Sequence, residues 1–550
     1  MVNIKELSIS YEGKKVISDL DLKINRNKIT AVVGESGTGK TSLALALMGL
    51  NNNVTKGEII VENENVLMYS EQKMREYRGK KIGIVFQNSG DILNPTVKIF
   101  KQVAESMIEH GFCLKLEAYE RAKKLLSDVG IEKKDQEAYS KELSGGQIQR
   151  VLIAMALAND PEILIFDEFT SALDSLTKME IIKLIRRIAE NKTILLITHD
   201  FSVAEKLADE IVVLYGGMVA ESGEVNKILK DPIHPYTRGL LRSYPNMSTT
   251  KDLQGIKGKA EICIKGCPFA NRCTQSIGKC YDTKPDARFV KGRMVACHRN
   301  GTICLLKASK VTKKYRKRLA LKNIDFSIYE GETLAVVGES GSGKTTLAKC
   351  IMGLENMDSG KLFLNEEKII TRTKKFYKEA QIIYQNPKSS INRDFNVIDA
   401  VKEPLDIHNI GSEEYRIEKA KSVLEEVHLP NDDEFMRTLT HKLSGGESQR
   451  LAIARSLILN PKFLIADEAT SALDVSVQAK IMKLFMELQE KRGLTLLFIT
   501  HDIALARKVS DKIIVLKDGE IVEEGSSADL INNPKNEYTK RLLEASAKIF

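Results

Sequence analysis

Short apolar runs rich in β-branched residues punctuate the chain, at residues 29–33, 82–86, 163–166 and 193–198 and again at 334–337. Longer stretches between them carry apolar residues at helical spacing, with charges on the remaining positions. Brief apolar runs bounded by turn residues fit buried strands, and their alternation with amphipathic helices predicts a mostly parallel sheet flanked by helices, an α/β fold. The charged, weakly apolar stretch 105–141 predicts a separate helical lobe. The most apolar pieces, such as residues 151–157 and 193–197, fall far short of the ~18 residues of a membrane helix and are expected inside the protein.

This pattern occurs twice. GESGTGKT at residues 34–41 returns as GESGSGKT at 338–345, each between an apolar run and a Leu- and Ala-rich helical stretch. That is the strand–loop–helix context of a phosphate-binding loop. In Gly34-Glu35-Ser36-Gly37-Thr38-Gly39-Lys40-Thr41-Ser42 and Gly338-Glu339-Ser340-Gly341-Ser342-Gly343-Lys344-Thr345-Thr346, the glycines let backbone N–H groups close around phosphate oxygens at a helix N-terminus. Lys40 and Lys344 would reach the β- and γ-phosphates, while Thr41 and Thr345 would offer hydroxyls to Mg²⁺.

The register extends beyond the loops. Tyr11 and Tyr315 stand 304 residues apart, as do Lys40 and Lys344; for His199 and His501 the spacing is 302. It is 300 for Ser144 and Ser444 and for Asp167 and Asp467, and 298 for Gln87 and Gln385. A repeat this long means two copies of one globular unit rather than a solenoid. Residues 1–245 form the first copy and 304–550 the second, and 246–303 have no counterpart and hold five of the eight cysteines. Two nucleotides are therefore expected per chain.

Composition adds little. Hydrophobic residues at 43% and charged residues at 29% are ordinary values and exclude disorder. A net charge of +9 is mild for 550 residues; a solvated Lys-rich surface accounts for it, and it would also suit an anionic membrane face or nucleic acid. The start, MVNIKELSIS, has no apolar secretory core, so a cytosolic protein is expected.

The chemistry-bearing residues follow the repeat. Residues 161–168 read PEILIFDE and 461–468 read PKFLIADE, apolar strands ending in two carboxylates at the ligand edge of a sheet. Asp167 and Asp467 are placed to hold Mg²⁺. Glu168 and Glu468, expected on the opposite side of the strand, can polarise an attacking water. Ser144-Gly145-Gly146-Gln147 and Ser444-Gly445-Gly446-Glu447 lie 23 residues before those aspartates, as measured from each serine, and make a second anion-binding helix start. Ser171-Ala172-Leu173-Asp174, Thr198-His199-Asp200 and their repeats Ser471-Ala472-Leu473-Asp474 and Thr500-His501-Asp502 complete the set.

Together these motifs resemble the nucleotide-binding domains of ABC ATPases over nearly the whole chain. The resemblance implies two tandem P-loop domains, each with a RecA-like parallel-sheet core, an antiparallel β subdomain and a helical signature subdomain. It implies that Tyr11 and Tyr315 stack on adenine, that Gln87 and Gln385 contact Mg²⁺ and water, and that His199 and His501 bond the γ-phosphate. It also implies head-to-tail pairing, in which Lys40 shares its ATP with Ser444, Gly445 and Gly446, and Lys344 with Ser144, Gly145 and Gly146. Both composite sites keep every catalytic residue type.

The tails narrow the class. HPYTRGLL at 234–241, EYTKRLL at 537–543, GCPFANRC at 266–273, Cys280 and Ala296-Cys297-His298 resemble the C-terminal region of peptide- and nickel-type importer ATPases, here fused head to tail. Departures are Phe169 and Ala469 where that group has proline, and a proline-rich stretch reduced to Ile256 and Gly258. In a cytosolic protein Cys267, Cys273, Cys280 and Cys297 point to metal binding rather than disulfides; four thiolates suit a [4Fe–4S] cluster or Zn²⁺, with unliganded thiols as the third reading. The resemblance favours iron–sulfur. Few apolar residues surround the quartet, so ligand bonds are expected to order it, and Cys113, Cys263, Cys304 and Cys350 are expected as buried small hydrophobes.

The resemblance thus implies an ATPase on the cytoplasmic membrane face. It would drive two permeases through surfaces near Gln87 and Gln385, at Asn94-Pro95 and Asn386-Pro387, and through them an extracytoplasmic binding protein. Dipeptides, oligopeptides, glutathione, nickel and metallophores all remain open as cargo. The alternative is a soluble twin-domain ABC ATPase acting on ribosomes or DNA. Against it stand TSALD rather than TNHLD, cysteines between the domains rather than before them, and no large zinc-module insertion.

Overall fold

The structure is a computed structural model that describes residues 1–86, 92–171, 173–244, 255–256, 258, 265–316, 318–471 and 473–546, apart from the side chains of Lys388 and Ser389. The chain divides into two compact units, one holding Met1–Tyr244 with Gly258–Gly301 and the other the chain from Thr302 onwards.

In the first unit five parallel strands make the centre, in the order Glu210–Tyr215, Ile29–Val33, Thr193–Ile197, Ile163–Asp167 and Ile82–Val85. Every residue of Ile29–Val33, Ile163–Asp167 and Thr193–Ile197 is buried, because helices cover both faces of a parallel sheet and leave no polar side. A separate antiparallel sheet of Lys14–Ile24, Val2–Tyr11, Val54–Val61 and Glu64–Asn65 shares one apolar cluster with the helix Lys40–Leu47 and one face of the central sheet. The expected helical lobe is present as Ile99–Glu109 and Lys115–Asp128 packed with the helix Gly145–Leu157.

The second unit repeats the plan. Its six-stranded sheet runs Ala380–Ile383, Phe463–Asp467, Thr495–Thr500, Thr333–Val337, Lys512–Lys517 and Glu520–Ser526, with only the last strand antiparallel. Beside it lie the antiparallel sheet Arg318–Tyr329, Cys304–Tyr315, Ser359–Leu364 and Glu367–Lys368, and the helical lobe Val397–Ile407, Glu413–Glu426 and Gly445–Leu457. Each unit is thus the mixed α/β architecture expected from the sequence.

The cysteine-bearing segment departs from expectation. Its hairpin Ala287–Val290 and Arg293–Ala296 extends the first unit's central sheet by pairing with Met218–Glu224. Phe269 and Val295 are buried, at 5% and 1% exposure. Ladder hydrogen bonds and burial therefore contribute to ordering this segment. Of the other cysteines Cys350 is buried as expected, whereas Cys113, in the turn before Lys115–Asp128, and Cys304, opening a strand, are half-buried; Cys263 lies outside the described residues. No helix among the described residues is long and apolar enough to cross a membrane.

Candidate nucleotide-binding sites

Each phosphate loop leaves a fully buried central strand and enters a helix, Ile29–Val33 into Lys40–Leu47 and Thr333–Val337 into Lys344–Met352. Gly39 and Gly343 precede these helices at φ 96° and 109°, a left-handed backbone that costs glycine nothing. A Cβ on Gly34 would lie 2.3 Å from the Leu214 carbonyl oxygen, and one on Gly338 2.1 Å from that of Leu516, so both loops are pressed against the neighbouring strand. Ser36, Gly37, Ser340 and Gly341 form exposed crests, with Thr38 and Ser342 buried beneath them. Lys40 Nζ donates to the carbonyls of Gly34 (3.0 Å) and Glu35 (2.9 Å), and Lys344 Nζ to those of Gly338 (2.8 Å) and Glu339 (2.9 Å). Burial lowers both lysine pKa values, opposed by Glu168 and Asp167 in the first unit and by Glu468 and Asp467 in the second.

Asp167 and Asp467 are buried at their strand ends, which raises both carboxyl pKa values against the pull of the Thr41 and Thr345 hydroxyls. Thr345 Oγ1 donates to Asp467 Oδ1 at 3.2 Å. Asp167 Oδ1 is buried with no hydrogen-bond partner. A carboxylate oxygen withdrawn from water and unpaired is costly, and a hard cation satisfies it, so the threonine–aspartate pairs fit Mg²⁺.

Glu168 and Glu468 lie one residue past their strands, and strand alternation does not set their direction. Both have φ 46°, and their backbone N–H groups donate to the carbonyls of Ile197 (2.9 Å) and Ile499 (3.0 Å). A left-handed glutamate at matched positions in both units is strain of the kind that gathers at functional sites. The turn brings Glu168 Oε1 to 3.5 Å from His199 Nδ1, and Glu468 Oε1 to 3.8 Å from His501 Nδ1. Gln385 Nε2 donates to Glu468 Oε2 at 3.1 Å, and Lys344 Nζ stands 4.0 Å from Glu468 Oε1. Lys344, Thr345, Gln385, Asp467, Glu468 and His501 thus converge. Their counterparts do likewise in the first unit, except that Gln87 lies outside the described residues.

Ser144 and Ser444 cap the helices Gly145–Leu157 and Gly445–Leu457. Ser144 N–H donates to Gln147 Oε1 (2.9 Å) while Ser144 Oγ accepts from Gln147 N–H (3.3 Å), and Ser444 and Glu447 repeat this capping box at the same distances. The Ser444 hydroxyl also donates to Glu447, holding its carboxyl below the usual range. A Cβ on Gly146 would come within 2.6 Å of Thr177, and one on Gly446 within 2.8 Å of Val477, so each signature helix packs tightly on the next. Tyr11 OH donates to Ser42 Oγ (3.2 Å) and accepts from Asn51 Nδ2 (3.0 Å). Tyr315, 39% exposed, lies beside the Thr346 side chain, so each tyrosine stands beside its loop helix.

Two site residues escaped the sequence reading. Tyr236 OH accepts the Glu35 N–H (3.0 Å), and Tyr538 OH accepts the Glu339 N–H (3.2 Å). The signal was the Tyr-Thr pair shared by both tails. The cysteine quartet lies in the part of the first unit that follows its tail helix. Burial pushes the Cys273 thiol up to about 12, with Cys297, Cys267 and Cys280 near enough to add to the shift. Among the described residues no three His, Cys, Asp or Glu side chains are grouped to hold a metal ion.

Comparison with known proteins identifies the family. The ABC transporter family matches residues 17–171 and 321–471. The oligopeptide/dipeptide transporter C-terminal region matches 220–280 and 522–549. The glutathione import ATP-binding protein GsiA of Salmonella typhimurium is 34% identical over 99% of this chain and 89% of its own length. The oligopeptide transport ATP-binding protein OppD of Mycobacterium tuberculosis is 33% identical over 99% and 98%. A solved dimeric ATP-binding cassette in a post-hydrolysis state with ADP and Pi is 30% identical, at TM-score 0.38, over 41% of this chain and 99% of that one. With two cassettes and two matching tails in one polypeptide, the chain belongs to the ABC transporter ATP-binding proteins of the oligopeptide and glutathione import type.

Proposed function

We propose that this protein is the ATP-hydrolysing subunit of a peptide importer, working at the cytoplasmic face of the membrane. The observation that carries the reading is the convergence, in each cassette, of a phosphate-loop lysine, a buried aspartate, a left-handed glutamate and a histidine. The loop N–H groups and Lys40 or Lys344 hold the β- and γ-phosphates. Mg²⁺, held by Thr41 and Asp167 or by Thr345 and Asp467 with Gln87 and Gln385 alongside, neutralises charge on the phosphate oxygens when bound. Glu168 and Glu468 take the proton of the attacking water, oriented by His199 or His501, which also bonds the γ-phosphate. Tyr11 and Tyr315 offer a stacking face to adenine. In the ATP-bound state each nucleotide is shared between one cassette's loop and the serine and glycines of the other's signature, so binding draws the cassettes together and hydrolysis releases them.

That cycle is transmitted to two permeases and a binding protein. Peptides, including glutathione, are the cargo supported by the named relatives, which do not speak for nickel. The cysteine quartet is a separate proposal. Four thiols are the donor type of an iron–sulfur or zinc site, and they would have to close together around the metal; no step of ATP turnover passes through it.

The test is purification of the tagged protein from detergent-solubilised membranes. Two permeases should accompany it, and ATPase activity in proteoliposomes should rise when binding protein and peptide are added. Recovery with ribosomes or DNA, and ATPase indifferent to peptide, would move the assignment to the soluble twin-cassette class.

A further inference from the structure

Glu35 is where the cysteine-bearing segment meets the first phosphate loop. Arg272, on the 3₁₀ turn Ala270–Arg272, grips its carboxylate with both terminal nitrogens, Nη1 to Oε2 at 2.7 Å and Nη2 to Oε1 at 3.0 Å. Such a fork-to-carboxylate pair is strong and directional. The arginine side chain is 6% exposed and the glutamate 27%, and Arg272 Nη1 also donates to Tyr215 OH at 3.2 Å. The rings of Tyr215, Tyr236 and Phe269 pack with centroids 4.3 to 5.5 Å apart and shield the pair from water. The Glu35 backbone is fixed as well: its N–H goes to Tyr236 OH, and its carbonyl accepts from Thr38 Oγ1 (2.8 Å) and Lys40 Nζ.

The second loop repeats the tyrosine and lysine contacts to the backbone, lacks the hydroxyl contact, with Ser342 Oγ left without a partner, and omits the charge pair. Glu339 donates its N–H to Tyr538 OH, and its carbonyl accepts from Lys344. Its side chain is exposed, and no Lys or Arg among the described residues lies within ion-pair distance of it. Above Tyr538 stands Lys517, 4.9 Å from the ring centre, at the strand position that Tyr215 occupies in the first cassette. Water screens the exposed Glu339 carboxylate. Glu35, mostly withdrawn from water beside a site that must accept a polyanion, needs a counter-charge.

We propose that Arg272 is a positioning residue for the first nucleotide site: by neutralising Glu35 it allows the first phosphate loop to accept ATP, and it ties nucleotide affinity at that loop, and not at the second, to the folded state of the cysteine-bearing segment. The proposal rests on the reading of the two loops as nucleotide sites.

The test is titration of the full chain with Mg²⁺ and the fluorescent analogue mant-ATP in two backgrounds. Lys344→Ala leaves the first loop as the binding site, and Lys40→Ala leaves the second. Arg272→Ala should weaken binding about tenfold in the first background, the order of one poorly screened charge–charge interaction, and less than about twofold in the second. Adding Glu35→Gln should restore affinity at the first loop, since the charge that Arg272 offsets is then gone. Arg272→Gln, closer in shape, should behave as Arg272→Ala does and serves if the alanine variant does not fold. An equal loss in both backgrounds, no loss in the first, or no restoration by Glu35→Gln overturns the proposal. Failure of the Lys344→Ala chain to bind mant-ATP with Arg272 intact would instead refute the nucleotide site itself.

Discussion

Glu168 and Glu468 owe their position to one backbone angle. At φ 46° the residue after each buried aspartate turns out of the strand and presents its carboxylate to the following histidine rather than to the far face of the sheet. Glu168→Gln combined with Glu468→Gln keeps side-chain shape and leaves the phosphate contacts of Lys40 and Lys344 in place, while removing the base. Phosphate release should therefore fall by about two orders of magnitude or more, with mant-ATP affinity within a few-fold of the parent. Turnover within a few-fold of the parent would remove these residues from the base role. The identities of Lys40, Asp167, Glu168, His199 and their repeats were legible because phosphate chemistry demands those types at those spacings. The direction of Glu168 was not. Left-handed backbone is usually announced by glycine or asparagine, and here it is imposed on glutamate by the N–H to Ile197 carbonyl contact, a long-range bond that sequence does not display.

Among the elements, the strands of the central sheets were legible because parallel strands buried on both faces read as unbroken apolar runs. The hairpin Ala287–Val290 and Arg293–Ala296 was not, since each strand is four residues long and its partner lies some seventy residues back, at Glu221 and Ser222. If ladder and burial order that segment, chelators and reductant should leave it resistant to trypsin, whereas Phe269→Ala, at a cost of about 3 to 5 kcal/mol, should open it to cleavage. Cleavage on chelation alone would return the ordering role to ligand bonds. The tail helices show a second device with a pH signature. In the first, Glu221 accepts the N–H groups of Ile233 and His234, and His234 Nδ1 accepts that of Tyr236 at 3.1 Å. In the second, Glu523 accepts from Lys535 and Asn536, and Asn536 Oδ1 accepts from Tyr538 at 2.8 Å. Burial lowers the pKa of His234 to about 4, against about 6.5 in an unfolded chain. The unfolded state therefore takes up a proton first as pH falls, so the histidine's contribution is intact above about pH 6.5 and is lost progressively down to about pH 4. His234→Asn, which copies the second tail, should melt with a shallower pH dependence than the parent, a difference growing to about 2 kcal/mol at pH 5. Parallel stability curves between pH 7.5 and 5 would exclude this histidine as the source.

For the whole molecule, fusion of two cassettes fixes their ratio at one to one without making them identical. Both keep the loop lysine, the buried aspartate, the left-handed glutamate and the histidine. Their surroundings differ: the first loop is braced by Arg272 and an aromatic cluster, the second by Tyr538 under Lys517. Two complete but differently braced sites lead to distinct expectations for binding and for turnover. Lys40→Ala and Lys344→Ala should each lower nucleotide stoichiometry from two to one per chain, because the loop lysine acts on its own phosphates. Turnover should fall by much more than half in both, because in the proposed cycle each cassette supplies its signature to the other's nucleotide and closure needs both. Equilibrium binding with ATP and phosphate release on the same preparations give the two numbers. Turnover that stops at one half in either variant would mean cassettes that hydrolyse independently, and the shared-site cycle would then have to be abandoned even with both nucleotide sites intact.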